Sequence, residues 1–360
     1  MISHMVKKKY FLWCPLIAVL AMAFSCHAVI AEEPLPSDQL FIVASDIKEA
    51  TDNVNFILFD HRTQETNSLL RRKNTVFPTA VLSRDGKNLY TSKIHQTGAG
   101  SPDYIELFGY AMPINPRNMP ELLTEPQKIW NVDYMRSSAD NTKVFMRVVQ
   151  AKRDNAQLAV YNVDSKKINV WNENDSTNEI HYFDYSPASR TIIALEHSLD
   201  EETALLQHAN RNQVALPPVT YRVVLYSEDG RKLREVGTIK KHILDISLSP
   251  DGKHALFTVT DQINSNSFNL VFKLNLESGS YEEVFRDTDT FRRIKHAQYA
   301  SDGKRIYFSG ILKNAPVLSG ERRRKVPARN IAIYDPKTNQ MTKVWSMEKG
   351  TVNQFQVLYP

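Results

Sequence analysis

The sequence predicts an all-β fold, a six-bladed β-propeller with four antiparallel strands per blade, and three observations predict it. A hairpin made of two period-2 strands around an Asp-Gly type turn recurs five times. Each copy is accompanied by a second hairpin with a polar turn, so the repeating unit has four strands. The two ends of the chain carry complementary halves of one further hairpin.

The first type of hairpin reads FPTAVLSRDGKNLYTSKI at 77–94, VDYMRSSADNTKVFMRVV at 132–149, IHYFDYSPASRTIIALE at 180–196, ILDISLSPDGKHALFTV at 243–259 and IKHAQYASDGKRIYFSG at 294–310. Gly and Asn at the turns tolerate positive φ, and Asp or Ser can bond its own backbone, which is what a tight hairpin requires. The second type is FILFDHRTQETNSLL (56–70), LAVYNVDSKKINVW (158–171), VVLYSEDGRKLREV (223–236), LVFKLNLESGSYEEVF (270–285) and IAIYDPKTNQMTKVW (331–345). Taking Asp85, Asp140, Ala188, Asp251 and Asp302 as turn centres, the repeats are 55, 48, 63 and 51 residues apart. That spacing suits propeller blades of about 40 to 50 residues with loop insertions. PSDQLFIVAS (36–45) matches the second half of the hairpin, and VNQFQVLYP (352–360) matches its missing first strand. Blade 1 is therefore expected to take its strand A from 352–360 and strands B to D from about 39–70, which closes the ring and removes exposed sheet edges. A two-layer sandwich would also show many short strands. The complementary termini favour the ring.

Residues 1–31 read as a signal peptide: Lys7-Lys8-Lys9, an apolar stretch from Phe11 to Phe24, and small residues ending Val29-Ile30-Ala31. About 14 apolar residues, interrupted by Pro15, fall short of the roughly 20 a membrane span needs. Cleavage after Ala31 would leave 32–360 as a single propeller domain of 329 residues in the periplasm. Lipidation at Cys26 is the less favoured alternative, because Ala23-Phe24-Ser25-Cys26 matches a lipobox poorly. Cys14 and Cys26 both leave with the signal, which removes disulfides, thiolate nucleophiles and Cys-ligated metals together. The formal charge of +5 falls to +2 without Lys7, Lys8 and Lys9, so neither nucleic acid nor a general membrane affinity is indicated, and any electrostatic function needs local clustering.

The SPDGK-type turns at 249–253, 83–87 and 301–304, each followed by an aromatic-rich strand, resemble the WD-type repeats of the TolB propeller family of bacterial periplasmic proteins. The resemblance covers about 39–360 and implies the fold and a cell-envelope setting. TolB proteins carry an α/β domain ahead of the propeller. With only Glu32 to Asp38 between signal and first strand, the resemblance implies a propeller lacking that domain. No TolB site residue is carried over.

In four-stranded blades the B-to-C and D-to-A connections share one face, and the long connections, 198–218 and 311–329, are B-to-C ones. Binding residues concentrate on such loops. Three basic clusters are expected to converge there near the seam of blades 5 and 6: Lys240-Lys241-His242; Arg292, Arg293 and Lys295; and Arg322-Arg323-Arg324-Lys325 with Arg329. Asp200-Glu201-Glu202 on the blade 4 loop would make the face dipolar. Solvated loop charges are the bland alternative. The sharper expectation is an anion-binding surface on which Arg supplies paired donors.

Enzyme signatures are missing: there is no H-E-x-x-H, G-x-S-x-G, P-loop or G-x-G-x-x-G. Of the eight histidines outside the signal, none forms a close pair in sequence; His181 and His296 fall in A strands lining the channel. Phe257, Tyr299, Phe308, Tyr334 and Trp345 alternate at strand spacing and are assigned to inter-blade packing. The sequence thus reads as a non-catalytic periplasmic interaction module or scaffold. It would bind an envelope protein, or an anionic ligand, on its loop-rich face without cofactor, metal or nucleic acid. The alternative is a periplasmic hydrolase or lyase acting on glycan or peptide at the channel mouth. A deep funnel holding His with carboxylates would favour catalysis, and a shallow basic face would favour docking.

Overall fold

The computed structural model describes residues 38–47, 53–73, 78–95, 104–115, 119–123, 129–151, 153–262, 267–319 and 325–359. The expected signal with its two cysteines, and Arg322, Arg323 and Arg324, lie outside these residues. Among the described residues no helix is long and apolar enough to cross a membrane.

Blade 1 opens with β1 (Gln39–Asp46), β2 (Asn53–Asp60) and β3 (Thr66–Lys73). Blade 2 holds β4 (Ala80–Leu82), β5 (Asn88–His95), β6 (Tyr104–Ala111) and a two-residue β7 (Glu121–Leu122). Blade 3 is β8 (Ile129–Ser137), β9 (Lys143–Gln150), β10 (Ala156–Asn162) and β11 (Lys167–Val170). Blade 4 is β12 (Asn178–Ser186), β13 (Thr191–Ser198), an inserted helix α1 (Leu199–Asn212), β14 (Thr220–Ser227) and β15 (Lys232–Lys240). Blade 5 runs through β16 (His242–Leu248), β17 (His254–Thr260), β18 (Asn269–Asn275) and β19 (Tyr281–Arg286). Blade 6 has β20 (Phe291–Tyr299), β21 (Ile306–Leu312), a small hairpin of β22 (Val317–Ser319) and β23 (Lys325–Pro327), then β24 (Arg329–Asp335) and β25 (Gln340–Trp345). The last strand, β26 (Gly350–Leu358), pairs antiparallel with β1 and completes blade 1 in the order β26-β1-β2-β3, within two residues of the expected boundary.

The local chemistry of the repeat explains the hairpins. Ser83 donates its hydroxyl to Asp85 (2.6 Å) and accepts from the amide of Asn88 (2.8 Å), while Lys87 donates its amide to Asp85 (3.1 Å). Ser138 with Asp140, and Ser249 with Asp251, repeat this arrangement. Gly86, Asn141, Gly252 and Gly303 occupy the left-handed position of their turns. In blade 4 the left-handed residue is Arg190 (φ 52°), one position later in the turn, and its guanidinium pairs with Glu228 and with Asp140 of blade 3.

Six buried clusters form the core, one at each seam between neighbouring blades. Leu40, Ile42 and Ala44 of β1 face blade 6, whereas Phe41 and Val43 on the opposite side of the strand face blade 2. Both faces of such a strand are buried, so its apolar residues run consecutively instead of alternating with polar ones. Phe257, Tyr299, Phe308, Tyr334 and Trp345 are all buried in these seams, as their strand spacing predicts. Fully burying one such large apolar side chain stabilises the fold by about 1.5–3 kcal/mol.

Polar ties supplement each seam. Gln354 donates to the Ala80 carbonyl (2.9 Å) between blades 1 and 2, and Asn141 accepts from the Arg84 amide (2.8 Å) between blades 2 and 3. Arg136 pairs with Asp184 between blades 3 and 4. Asp184 also accepts from the Leu248 amide (2.7 Å) of blade 5, and Asp245 accepts from the His296 amide (2.6 Å) of blade 6. Gln298 closes the circle by bonding β26 twice.

Candidate functional site

The inner strands are bulged. β8 shifts register twice, around Trp130 and Tyr134, β12 around His181, β16 around Leu244, β26 around Asn353, and β20 twice, at 293–294 and 296–297. Tyr134, Arg293 and His296 take left-handed backbone conformations there. A bulge re-aims side chains that strict alternation would place elsewhere. These bulges lie in the strands around the central axis, mostly toward their starts, on the face that also carries α1 and the β22–β23 hairpin.

On blade 6 the bulges assemble a cationic group. Arg329, at the start of β24, donates its guanidinium to the Arg293 carbonyl and to the Ser309 carbonyl (3.3 Å), and its amide donates to Thr351 (3.1 Å). Burial, followed by the neighbouring Arg293 charge, pushes the Arg329 pKa down to about 10. Lys295, half-buried beside them, is held below the usual lysine value by burial first and then by Arg329; Asp245 opposes the shift. It forms no ion pair among the described residues. The nearby carboxylates are engaged with other donors. Asp287 accepts from the amides of Arg293 (2.9 Å), Ile294 (3.0 Å) and Asn269 (3.1 Å), and Asp245 accepts from Thr258 (2.7 Å) and the His296 amide. Burial raises the pKa of both acids. His296 meets Ser309 through Nδ1 at 3.1 Å and is pushed down to about 3, chiefly by burial and then by Arg329 and Lys295, so its imidazole is neutral at physiological pH.

The opposite charge gathers on blade 4. His197 is 3% exposed near the end of β13, and its Nε2 lies 3.0 Å from the Glu202 carboxylate in the first turn of α1. Glu179, in β12, completes a group whose donor atoms all lie within 4.8 Å of one another. Burial raises the Glu179 pKa; Arg147, 3.9 Å away, acts against it. That guanidinium is already bidentate on Asp133 (2.7 and 2.8 Å) and also donates to the His181 carbonyl (2.8 Å). The His181 ring packs against those of His197 and Tyr221, and burial followed by Arg147 and His197 lowers its pKa to about 3.

The structure thus brings together Arg293, Lys295 and Arg329 from two of the three basic clusters. Arg292 and Lys325 are exposed on the same face. Of the third cluster, Lys240 is exposed at the end of β15, the Lys241 ammonium sits 5.2 Å over the Phe272 ring, and His242 begins β16. A cleft of about 570 Å³ opens on this face of blade 6, lined by Thr290, Lys313, Asn330, Lys343 and Glu348 among others. The 198–218 connection, read as a loop, folds instead into α1. Its signal is present in the sequence as Ser198-x-x-Glu201, a capping pattern in which Ser198 accepts from the Glu201 amide (3.3 Å). Glu179, His197 and Glu202 come from three separate elements, so no spacing along the sequence marks them as a group.

No family model matches the chain. The uncharacterized protein YdjN of Bacillus subtilis (strain 168) is 28% identical over 189 residues, 51% of this chain and 53% of that protein, so the chain spans about half the length of the curated relative it matches. Among solved structures, Kuenenia stuttgartiensis hydrazine synthase aligns over 90% of this chain and 47% of its own at 10% identity, TM-score 0.59. An oligogalacturonate lyase in complex with manganese aligns over 87% and 75% at 12% identity, TM-score 0.51. TolB from Acinetobacter baumannii aligns over 85% and 69% at 12% identity, TM-score 0.47. At such identities the likeness is one of fold: the chain is a six-bladed β-propeller, a ring shared by proteins of unrelated activity.

Proposed function

We propose that residues 1–31 export the chain, and that residues 32–360 act in the periplasm as a non-catalytic interaction module. The module captures an acidic segment of another envelope protein on the face carrying α1 and the β22–β23 hairpin. One observation carries this reading: Lys295 stands half-buried beside Arg293 and Arg329 without an ion pair among the described residues, while Asp245 and Asp287 are hydrogen-bonded to other donors. Crowded like charges in a partly dry setting gain more from an incoming carboxylate than a solvated surface cation does. The test is crosslinking in cells from the 311–329 connection, comparing the wild type with Lys295→Met and with the triple change of Arg322, Arg323 and Arg324 to Ser. Both variants are expected to lose the crosslinked partner and keep the wild-type melting temperature; undiminished crosslinking in both overturns the reading.

A second reading, a hydrolase or lyase working on glycan or peptide at the channel mouth, is favoured by the His197 imidazole lying between two carboxylates on that same face. Turnover of envelope glycan fragments or peptides that disappears in His197→Asn would select it. No turnover by the wild type would remove it.

A further inference from the structure

The group on blade 4 is built for a cation. Glu179 comes from the start of β12, His197 from the end of β13, and Glu202 from α1, the one helix among the described residues. That helix is pinned where it delivers Glu202. Ser198 caps it, and the neighbouring Glu201 carboxylate accepts from both the amide (3.2 Å) and the hydroxyl (2.9 Å) of Thr220. The imidazole is buried, and its hydrogen bonding is incomplete: Nε2 meets Glu202, while Nδ1 has no partner among the described residues. The charges agree with this. Two carboxylates face one imidazole, and the Arg147 guanidinium, 3.9 Å from Glu179, is already bidentate on Asp133. His197 and Glu202 atoms 3.0 Å apart also match two ligands sharing one ion at about 2.0–2.2 Å.

We propose that Glu179, His197 and Glu202 form a binding site for a divalent ion of the zinc class. An imidazole donor selects against Ca²⁺ and Mg²⁺, which take oxygen ligands, and three protein ligands leave one position open to water or a substrate oxygen. The site stands apart from the docking reading, which concerns blade 6.

The experiment is isothermal titration of the chelator-treated full chain with ZnCl₂, with Co²⁺ absorption as a second readout. The wild type is expected to bind one ion per chain. Glu202→Gln, at a half-exposed position, is expected to weaken binding at least tenfold, as is His197→Ala, and both are expected to lose the cobalt d–d band. Asp200→Asn in the same helical turn, and Lys295→Met on blade 6, retain wild-type affinity. Absence of saturable zinc binding by the wild type, or wild-type affinity in Glu202→Gln, overturns the proposal.

Discussion

Replacing Gln298 by Leu tests whether the ring closes as described. Gln298 lies in β20 of blade 6, 8% exposed. Its side-chain amide donates to the Phe355 carbonyl (2.8 Å), and its carbonyl accepts from the Val357 amide (3.0 Å). Both partners belong to β26, the strand that makes blade 1 out of the two ends of the chain. Leucine preserves the volume and removes both bonds, leaving a donor and an acceptor of the β26 backbone unmatched. Each unmatched buried group costs about 1–3 kcal/mol, and the gain from an apolar side chain offsets part of that, so the expected loss is about 2–4 kcal/mol. For a domain of this size the melting temperature should fall by roughly 3–6 °C, measured by circular dichroism and confirmed by urea unfolding. Gln298→Glu keeps the acceptor but places a carboxylate oxygen against the Phe355 carbonyl, and should be no more stable than the leucine variant. A loss below about 0.5 kcal/mol for Gln298→Leu would refute the reasoning, because a surface substitution of no structural consequence falls within that range.

Other outcomes follow from the same geometry. Gly252 (φ +67°) would place a Cβ 2.6 Å from the Cβ of Ser189, whereas Gly303 (φ +65°) has open space around it. Gly303→Ala should therefore cost only the left-handed penalty of about 1–2 kcal/mol, and Gly252→Ala distinctly more, read from urea midpoints. Equal losses would contradict the packing of the blade 4 and blade 5 turns. His296 stays neutral in the folded chain down to about pH 3, while an unfolded histidine takes its proton below about 6.5. The folded state thus binds fewer protons in that window, and the His296 contribution is complete above it and is lost as pH falls through it. His296→Asn should make stability less dependent on pH between about 4 and 6, by roughly 1.4 kcal/mol per pH unit. Asp245 and Asp287, whose raised values act in the opposite direction, are common to both proteins and drop out of the comparison. An unaltered pH slope would show that His296 is protonated in the folded state.

The turns were legible because their causes are local. Ser249, Asp251 and Gly252 sit within four residues of one another, and the hydrogen bonds that bend the chain there involve no distant partner. The closing strand was legible for the same reason, since a half hairpin is recognisable without its mate. Blade 4 shows where locality ends: its left-handed residue is Arg190, one position beyond the place the other turns give to Gly or Asn, and its counter-charges come from Glu228 and Asp140. The bulges left no mark in the reading, because alternation counted along one strand does not register an extra residue opposite its neighbour. They nonetheless govern the channel-side chemistry at His181, Arg293 and His296.

The amino-acid sequence by itself determined the repeating unit, the number of blades and the union of the termini, since turn chemistry and strand period act over a few residues and repeat. The tertiary structure alone decided which charges meet. Arg293 and Arg329 stand 36 positions apart, and Glu179 reaches His197 from the neighbouring strand while α1 returns Glu202 to it. Convergence of that kind depends on strand register, bulge position and the direction in which an inserted helix leaves its blade, and these emerge only when the neighbouring strands have packed.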